Sequence, residues 1–222
     1  MIKNRTLIAI SLTLITSWSC SRNKLTEISL NCACEATEHY ITSTDEVVNN
    51  TKKFTFTNSR LFALGVSKDG FANSFAMQIC NYIDTEDNVD LIEINIVKEK
   101  GGNIKSSESY EYDLVSVRKN LPKYLEVESV ITDFVVNIYN KNYSNCLNSV
   151  AFRDVDDFKS IIDNVYTGLN KGYRDTRIVE YKTNGKEYLI FGIIKSEDDK
   201  LDLFKMKLID SENVLKIISF NF

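Results

Sequence analysis

Apolar residues along the chain change period several times, and each change marks a structural element. Over 52–58, Phe54 and Phe56 alternate with Thr55 and Thr57, the period of two that predicts a half-buried strand. Over 69–84, Ala72, Phe75, Ala76, Ile79, Cys80 and Ile83 fall on one helical face. The stretch 59–67 between them fits a short helix or a strand. Segments 89–99 and 109–119 read as strands, with Gly101, Gly102 and Asn103 in the turn that joins them. The chain's one proline, Pro122, stands in 121–130 and marks a junction. Past it, Val127, Val130, Ile131, Phe134, Val135, Ile138, Tyr139, Cys146, Leu147 and Val150 keep a single helical stripe. A further helix over 154–172 carries Phe158, Ile161, Ile162, Val165, Tyr166 and Leu169. It opens on Asp154, Asp156 and Asp157, where the helix dipole favours anions, and stops at Lys171 and Gly172. The rest alternates as four strands, 176–182, 186–196, 201–210 and 214–222, with Asn184-Gly185 as a hairpin signal and polar turns at 197–200 and 211–213.

Residues 21–50 are polar, with 27–31 and 38–44 as edge strands and a short tether before them. The pattern thus divides into a leader at 1–19, a tether with edge strands at 20–50, an α+β subdomain at 51–120 and an α+β domain at 125–222.

The leader has its own chemistry. Lys3 and Arg5 precede an uncharged apolar run at 7–16. A run of about ten residues is too short to cross a hydrocarbon core, which takes about 20, so it reads as a secretory signal. Ser17 and Ser19 supply the small residues of a cleavage neighbourhood, and Cys20 follows at once. The arrangement resembles a bacterial lipoprotein signal, with Ser17 where a leucine-like residue is commoner and the bulky Trp18 beside it. That resemblance implies lipidation of Cys20 by more than one acyl chain, and permanent attachment to a membrane of the cell envelope. Residues 21–24 carry no acidic run, which favours the periplasmic face. An ordinary secretory cut would leave Cys20 a plain thiol.

Charge narrows the partners. Lysine and arginine number 27 against 31 aspartate and glutamate, a net charge of −4, and loss of Lys3 and Arg5 with the leader carries it to −6. Nucleic acid is bound through clustered cations and is not an expected partner. At 43% hydrophobic residues the chain can bury a substantial core, and one proline with eight glycines leaves little room for a long linker.

The remaining cysteines, Cys32, Cys34, Cys80 and Cys146, are an even set in a compartment that permits disulfides. Cys32 and Cys34 are near neighbours, so each is expected to seek a distant partner, and three pairings stay open. Cys80 and Cys146 also fit free thiols buried on helix faces. His39 is the only histidine. With Cys32, Cys34 and Glu35 or Glu38 it could make a zinc set, but the spacing follows no strong zinc pattern. The chain lacks G-x-S-x-G and any glycine-rich phosphate loop, and the acidic groups at 154–157 and 197–199 do not follow calcium-loop spacing. No metal, cofactor or catalytic residue is assigned.

The order over 125–222, a long helix including 139–150, an acid-opened second helix and a terminal meander, resembles the NTF2-like (cystatin-like α+β) superfamily. The resemblance implies an α+β fold in which helices pack on one face of a curled antiparallel sheet. It also implies a cone in which family enzymes use Asp, His or Tyr, and it points to Asp133, Tyr139 and Tyr188. A solvated helix residue and core aromatics are the plainer readings of those three. Since the family holds enzymes and binding modules alike, fold alone assigns no activity. The expectation is a non-catalytic, membrane-anchored envelope lipoprotein that binds a protein partner or a small ligand. The alternatives are a small NTF2-like hydrolase or isomerase, and an immunity or inhibitor lipoprotein.

Overall fold

The computed structural model describes residues 24–42, 50–84, 87–151 and 157–222. The leader, Cys20, Asp154 and Asp156 lie outside the described residues. Within them the chain is mixed α+β, with two four-stranded sheets and five helices. It divides into two compact units. The first takes the described residues up to Leu61 together with Tyr82–Glu111, and the second takes Phe62–Asn81 with Tyr112–Phe222. The division therefore falls elsewhere than at the expected 51–120 and 125–222.

In the first unit a helix, α1 (residues 24–32), precedes β1 (Glu35–Thr42), β2 (Asn50–Thr57), β3 (Leu91–Lys100) and β4 (Asn103–Asp113). The sheet order is β1-β2-β3-β4, with β1 antiparallel and β3 parallel to β2. Phe54 and Phe56 of β2 are buried opposite Ile94 and Ile96, as their alternation predicts. Residues 27–31, expected as an edge strand, are helical instead. Ile28 and Leu30 mimic alternation, yet Leu30 is exposed, and the buried set Ile28, Asn31 and Cys32 has helical spacing.

The end of α1 also corrects the cysteine expectation. Ala33 adopts φ +48°; its N–H bonds the Leu30 carbonyl and the Cys34 N–H bonds the Ser29 carbonyl, both at 3.3 Å. This is the Schellman helix ending, with alanine where glycine is usual. The reversal brings the Cα atoms of Cys32 and Cys34 to 5.2 Å, and their sulfurs are bonded to each other rather than to distant partners. Cys80 and Cys146 are buried free thiols.

The second unit holds α2 (Lys68–Tyr82, the last residue across the boundary), α3 (Leu114–Tyr139), α4 (Tyr143–Ser149) and α5 (Phe158–Gly168). Its strands β5 (Tyr173–Asn184), β6 (Glu187–Ser196), β7 (Leu201–Ser211) and β8 (Val214–Asn221) form the antiparallel meander that the alternation predicts. A 3-10 turn at Arg60–Leu64 occupies the ambiguous 59–67. The strand expected over 109–119 stops at Asp113, whose carboxylate accepts the Ser116 N–H at 2.8 Å and caps α3. From there Leu114, Val117, Tyr124, Val127, Ile131, Phe134, Val135 and Ile138 are buried at helical spacing. Pro122 lies inside this helix on an exposed position, so no junction falls at 121–130.

The stripe read as one helix to Val150 is broken at Lys141 (φ +52°), and Asn142 caps α4. The later helix ends at Gly168, before Lys171 and Gly172. Within the sheet Gly192 pairs with Phe204, and a Cβ there would stand 2.0 Å from the ring's Cζ. Only glycine lets that aromatic ring cross β6.

Hydrogen bonds fix α2 to β5, an outer strand of the meander. Ser67 donates its N–H and its hydroxyl to the Glu180 carboxylate at 3.0 and 2.7 Å, and accepts the Gly70 N–H at 3.3 Å as the helix cap. A Cβ on Gly70 would meet Glu180 Cγ at 2.4 Å. Further along, Asn73 Nδ2 donates to the Tyr181 carbonyl at 2.9 Å. The Ile178 carbonyl accepts from both Ser74 Oγ at 3.0 Å and Gln78 Nε2 at 2.9 Å. Ile178 adjoins the bulge that shifts register between Ile178 and Glu180.

Two outcomes follow from these contacts. Ala33→Gly removes the left-handed penalty at the helix ending and is expected to raise unfolding free energy by about 0.5–1 kcal/mol, read from the urea midpoint at unchanged slope. Ser74→Ala and Gln78→Met each leave one donor on the buried Ile178 carbonyl. The double variant leaves neither, so its loss is expected to exceed the sum of the single losses by roughly 1–3 kcal/mol, measured by denaturation.

Candidate functional site

Two hollows of the second unit could receive a ligand. The larger, about 430 Å³, is lined by Gly65, Phe191, Lys205, Lys207 and Phe220 among others. Its charged groups are engaged: Lys207 pairs with Glu187 at 2.9 Å, Lys205 stands over the Phe191 ring at 5.0 Å, and Glu180 caps α2. The smaller, about 260 Å³, is lined by Asn73, Met77, Asn120, Lys123, Tyr181, Thr183, Gly185 and Tyr188. Its polar groups are differently placed.

The floor of that smaller pocket is the β5–β6 hairpin. Thr183 pairs with Tyr188 and Tyr181 with Ile190, so Tyr181, Thr183 and Tyr188 share one face of the sheet. Gly185, at φ +62°, makes the tight turn. Tyr181 and Tyr188 are 3% and 6% exposed, yet neither hydroxyl has a hydrogen-bond partner among the described residues. Other tyrosines of the unit are satisfied. Tyr139 donates to the Asn170 carbonyl at 2.9 Å, Tyr143 donates to Asp163 at 2.6 Å, and Tyr173 accepts from Thr176 at 3.2 Å. Buried phenols ordinarily find such a partner. The two that do not are neighbours on one pocket.

Lys123 of α3 closes another side. Its ammonium bonds Asp210 at 2.8 Å and Glu126 at 2.6 Å, and those bonds raise its pKa, Asp210 contributing most, so it stays protonated. Burial raises the Tyr181 pKa, with Tyr188 adding to the rise and Lys123 opposing it. Burial likewise raises Tyr188, against Lys123 and with Asp210 and Glu126. Both phenols therefore keep their protons at neutral pH and act as donors. The amide nitrogens of Asn73 and Asn120 donate to the Tyr181 and Ser116 carbonyls at 2.9 and 3.0 Å. Their side-chain oxygens remain as acceptors.

Of the residues singled out from the sequence, Tyr188 lines this pocket. Asp133 is exposed on α3. Tyr139 packs against Tyr166 and Tyr173, and burial, with Asp202 and those two rings, pushes its pKa up to about 12. The three do not converge. Cys32 and Cys34 are consumed in their disulfide, and His39 is exposed on β1. Among the described residues, no three His, Cys, Asp or Glu side chains are disposed to hold a metal ion. Burial pushes the Cys146 thiol up to about 11 and also raises Cys80, so both are poor nucleophiles. No described helix is long and apolar enough to cross a membrane.

Sequence reading missed Tyr181, Thr183 and Lys123. A signal for the first two was present. The Asn184-Gly185 turn sets a register that puts Tyr181 and Tyr188 on the same face. Lys123 gave none, because its partner Asp210 is distant in sequence.

No family model matches the chain, and no curated protein matches it. Among solved structures it is similar to a protein from Campylobacter jejuni assigned as an NTF2-like transpeptidase, at 13% identity and a TM-score of 0.37. The match covers 41% of this chain and 96% of that one. That likeness assigns no chemistry to this chain.

Proposed function

We propose that this chain is a non-catalytic lipoprotein of the bacterial envelope, tethered at Cys20 on the periplasmic face, whose second unit binds a small ligand. The observation that carries the binding reading is the pair of buried tyrosines, Tyr181 and Tyr188, with unpartnered hydroxyls on a polar pocket. Neither hydroxyl is sealed in the packed core; both open into the pocket, where a ligand's groups can bond them. The ionisable side chains there are held in resting forms: Lys123 as an ammonium and the phenols protonated. None is poised as a base or nucleophile, which supports binding over catalysis.

The tether reading rests on the leader. Its basic start, short apolar run and the serines before Cys20 resemble a lipoprotein signal, from which Ser17 and the bulky Trp18 depart. The NTF2-like reading of the second unit rests on element order, a long helix, shorter helices and a four-stranded antiparallel meander. A cone of helices over one face of that sheet is the matching arrangement. The net charge of −4 speaks against nucleic acid as partner.

The tether is tested by intact mass spectrometry of chain extracted from native membranes, beside Cys20→Ala. The expected result is a mature chain beginning at Cys20 with added acyl mass, lost in the variant together with membrane retention. An unacylated chain in the soluble fraction would overturn the tether.

A further inference from the structure

The unpartnered phenols, taken with the other groups around them, restrict the ligand, and this inference rests on the ligand-binding reading above. Lys123, the one cation among the described lining residues, already bonds two carboxylates, Asp210 and Glu126, so an anion finds no free counter-charge. A cationic ligand would face the Lys123 ammonium and two phenol donors. An apolar ligand would bury Asn73, Asn120, Thr183 and both hydroxyls without replacing their hydrogen bonds. What remains is a neutral ligand whose groups both donate and accept.

We infer that the pocket binds a neutral, hydroxyl-rich ligand the size of one sugar ring. Tyr181 and Tyr188 donate to ring hydroxyl oxygens, the amide oxygens of Asn73 and Asn120 accept the hydroxyl protons, and Thr183 can do either. The size limit comes from the volume. About 260 Å³ in an open pocket gives room for one such ring.

The test uses the full chain in a zwitterionic, sugar-free detergent. Saturation-transfer NMR is run with methyl β-glucopyranoside and N-acetylglucosamine, beside acetate, methylammonium and glycine amide as differently charged probes. At least one of the two sugars is expected to receive saturation, and Tyr181→Phe and Tyr188→Phe are each expected to weaken it fivefold or more. Because the two hydroxyls bond no described protein group, both variants should melt at or near the parent temperature. A variant that binds as the parent does would remove the tyrosines from the site and overturn the inference. Binding of only one of these charged probes, weakened by the same variants, would overturn the sugar class while leaving ligand binding intact. Silence from every probe would overturn both.

Discussion

A carbonyl group buried at the side of a sheet must be given a donor, and that requirement organises the second unit. The bulge in β5 turns the Ile178 carbonyl toward α2, which answers with Ser74 and Gln78, and Asn73 does the same for Tyr181. An outer strand is thereby covered instead of being left to pair with other chains. The covering helix is held at its start by Ser67 and Glu180, and the near contact of Gly70 with Glu180 admits no side chain. Once α2 is fixed, so are Asn73 and Met77 on the pocket wall. The Tyr124 hydroxyl, 3.5 Å from Ser74 Oγ, joins α3 to the same cluster.

The tyrosines of the second unit separate into two uses. Tyr124, Tyr139, Tyr143 and Tyr173 each have a hydroxyl engaged within the unit, and those bonds hold helices, strands and loops together. Tyr181 is just as deep, and its ring packs edge-on against Tyr124 at 5.1 Å, yet its hydroxyl is uncommitted. Packing and hydrogen bonding have thus been separated in one residue. The ring belongs to the core, and the hydroxyl belongs to the pocket.

The elements most legible in the sequence were those whose period had one interpretation. The meander was readable because Phe204, Met206 and Leu208 alternate against polar neighbours and because Asn184-Gly185 marks a turn. The helix near 69–84 was readable from its apolar face, but not its depth. Ser74 and Gln78 look like solvent-facing positions until the acceptors on β5 are seen. Short windows misled. Five residues at 27–31 fit a strand as well as a helix, and Leu114 and Val117 were absorbed into the alternation before them. Pro122 reads as punctuation in the sequence, whereas in the fold it occupies an exposed position inside α3, whose stability comes from tertiary packing. The Cys32–Cys34 bond was missed because it depends on a backbone reversal at an alanine, and alanine carries no signal for a left-handed turn. Site residues were legible only where one hairpin fixes them.

The course of the chain through its two units has a consequence for dissection. The path leaves the first unit after Leu61, spends Phe62–Asn81 in the second, returns for Tyr82–Glu111 and crosses again. No terminal truncation can therefore yield the second unit whole without carrying the first unit's Tyr82–Glu111 along. A fragment starting at residue 112 would hold the meander and the long helix, and would look complete by element order. It would nevertheless lack the helix that covers β5 and would bare the carbonyls of Ile178 and Tyr181 to whatever strand came near. Evolution could exchange or lose neither unit by a single cut. Either unit is obtained whole only within a chain that carries part of the other.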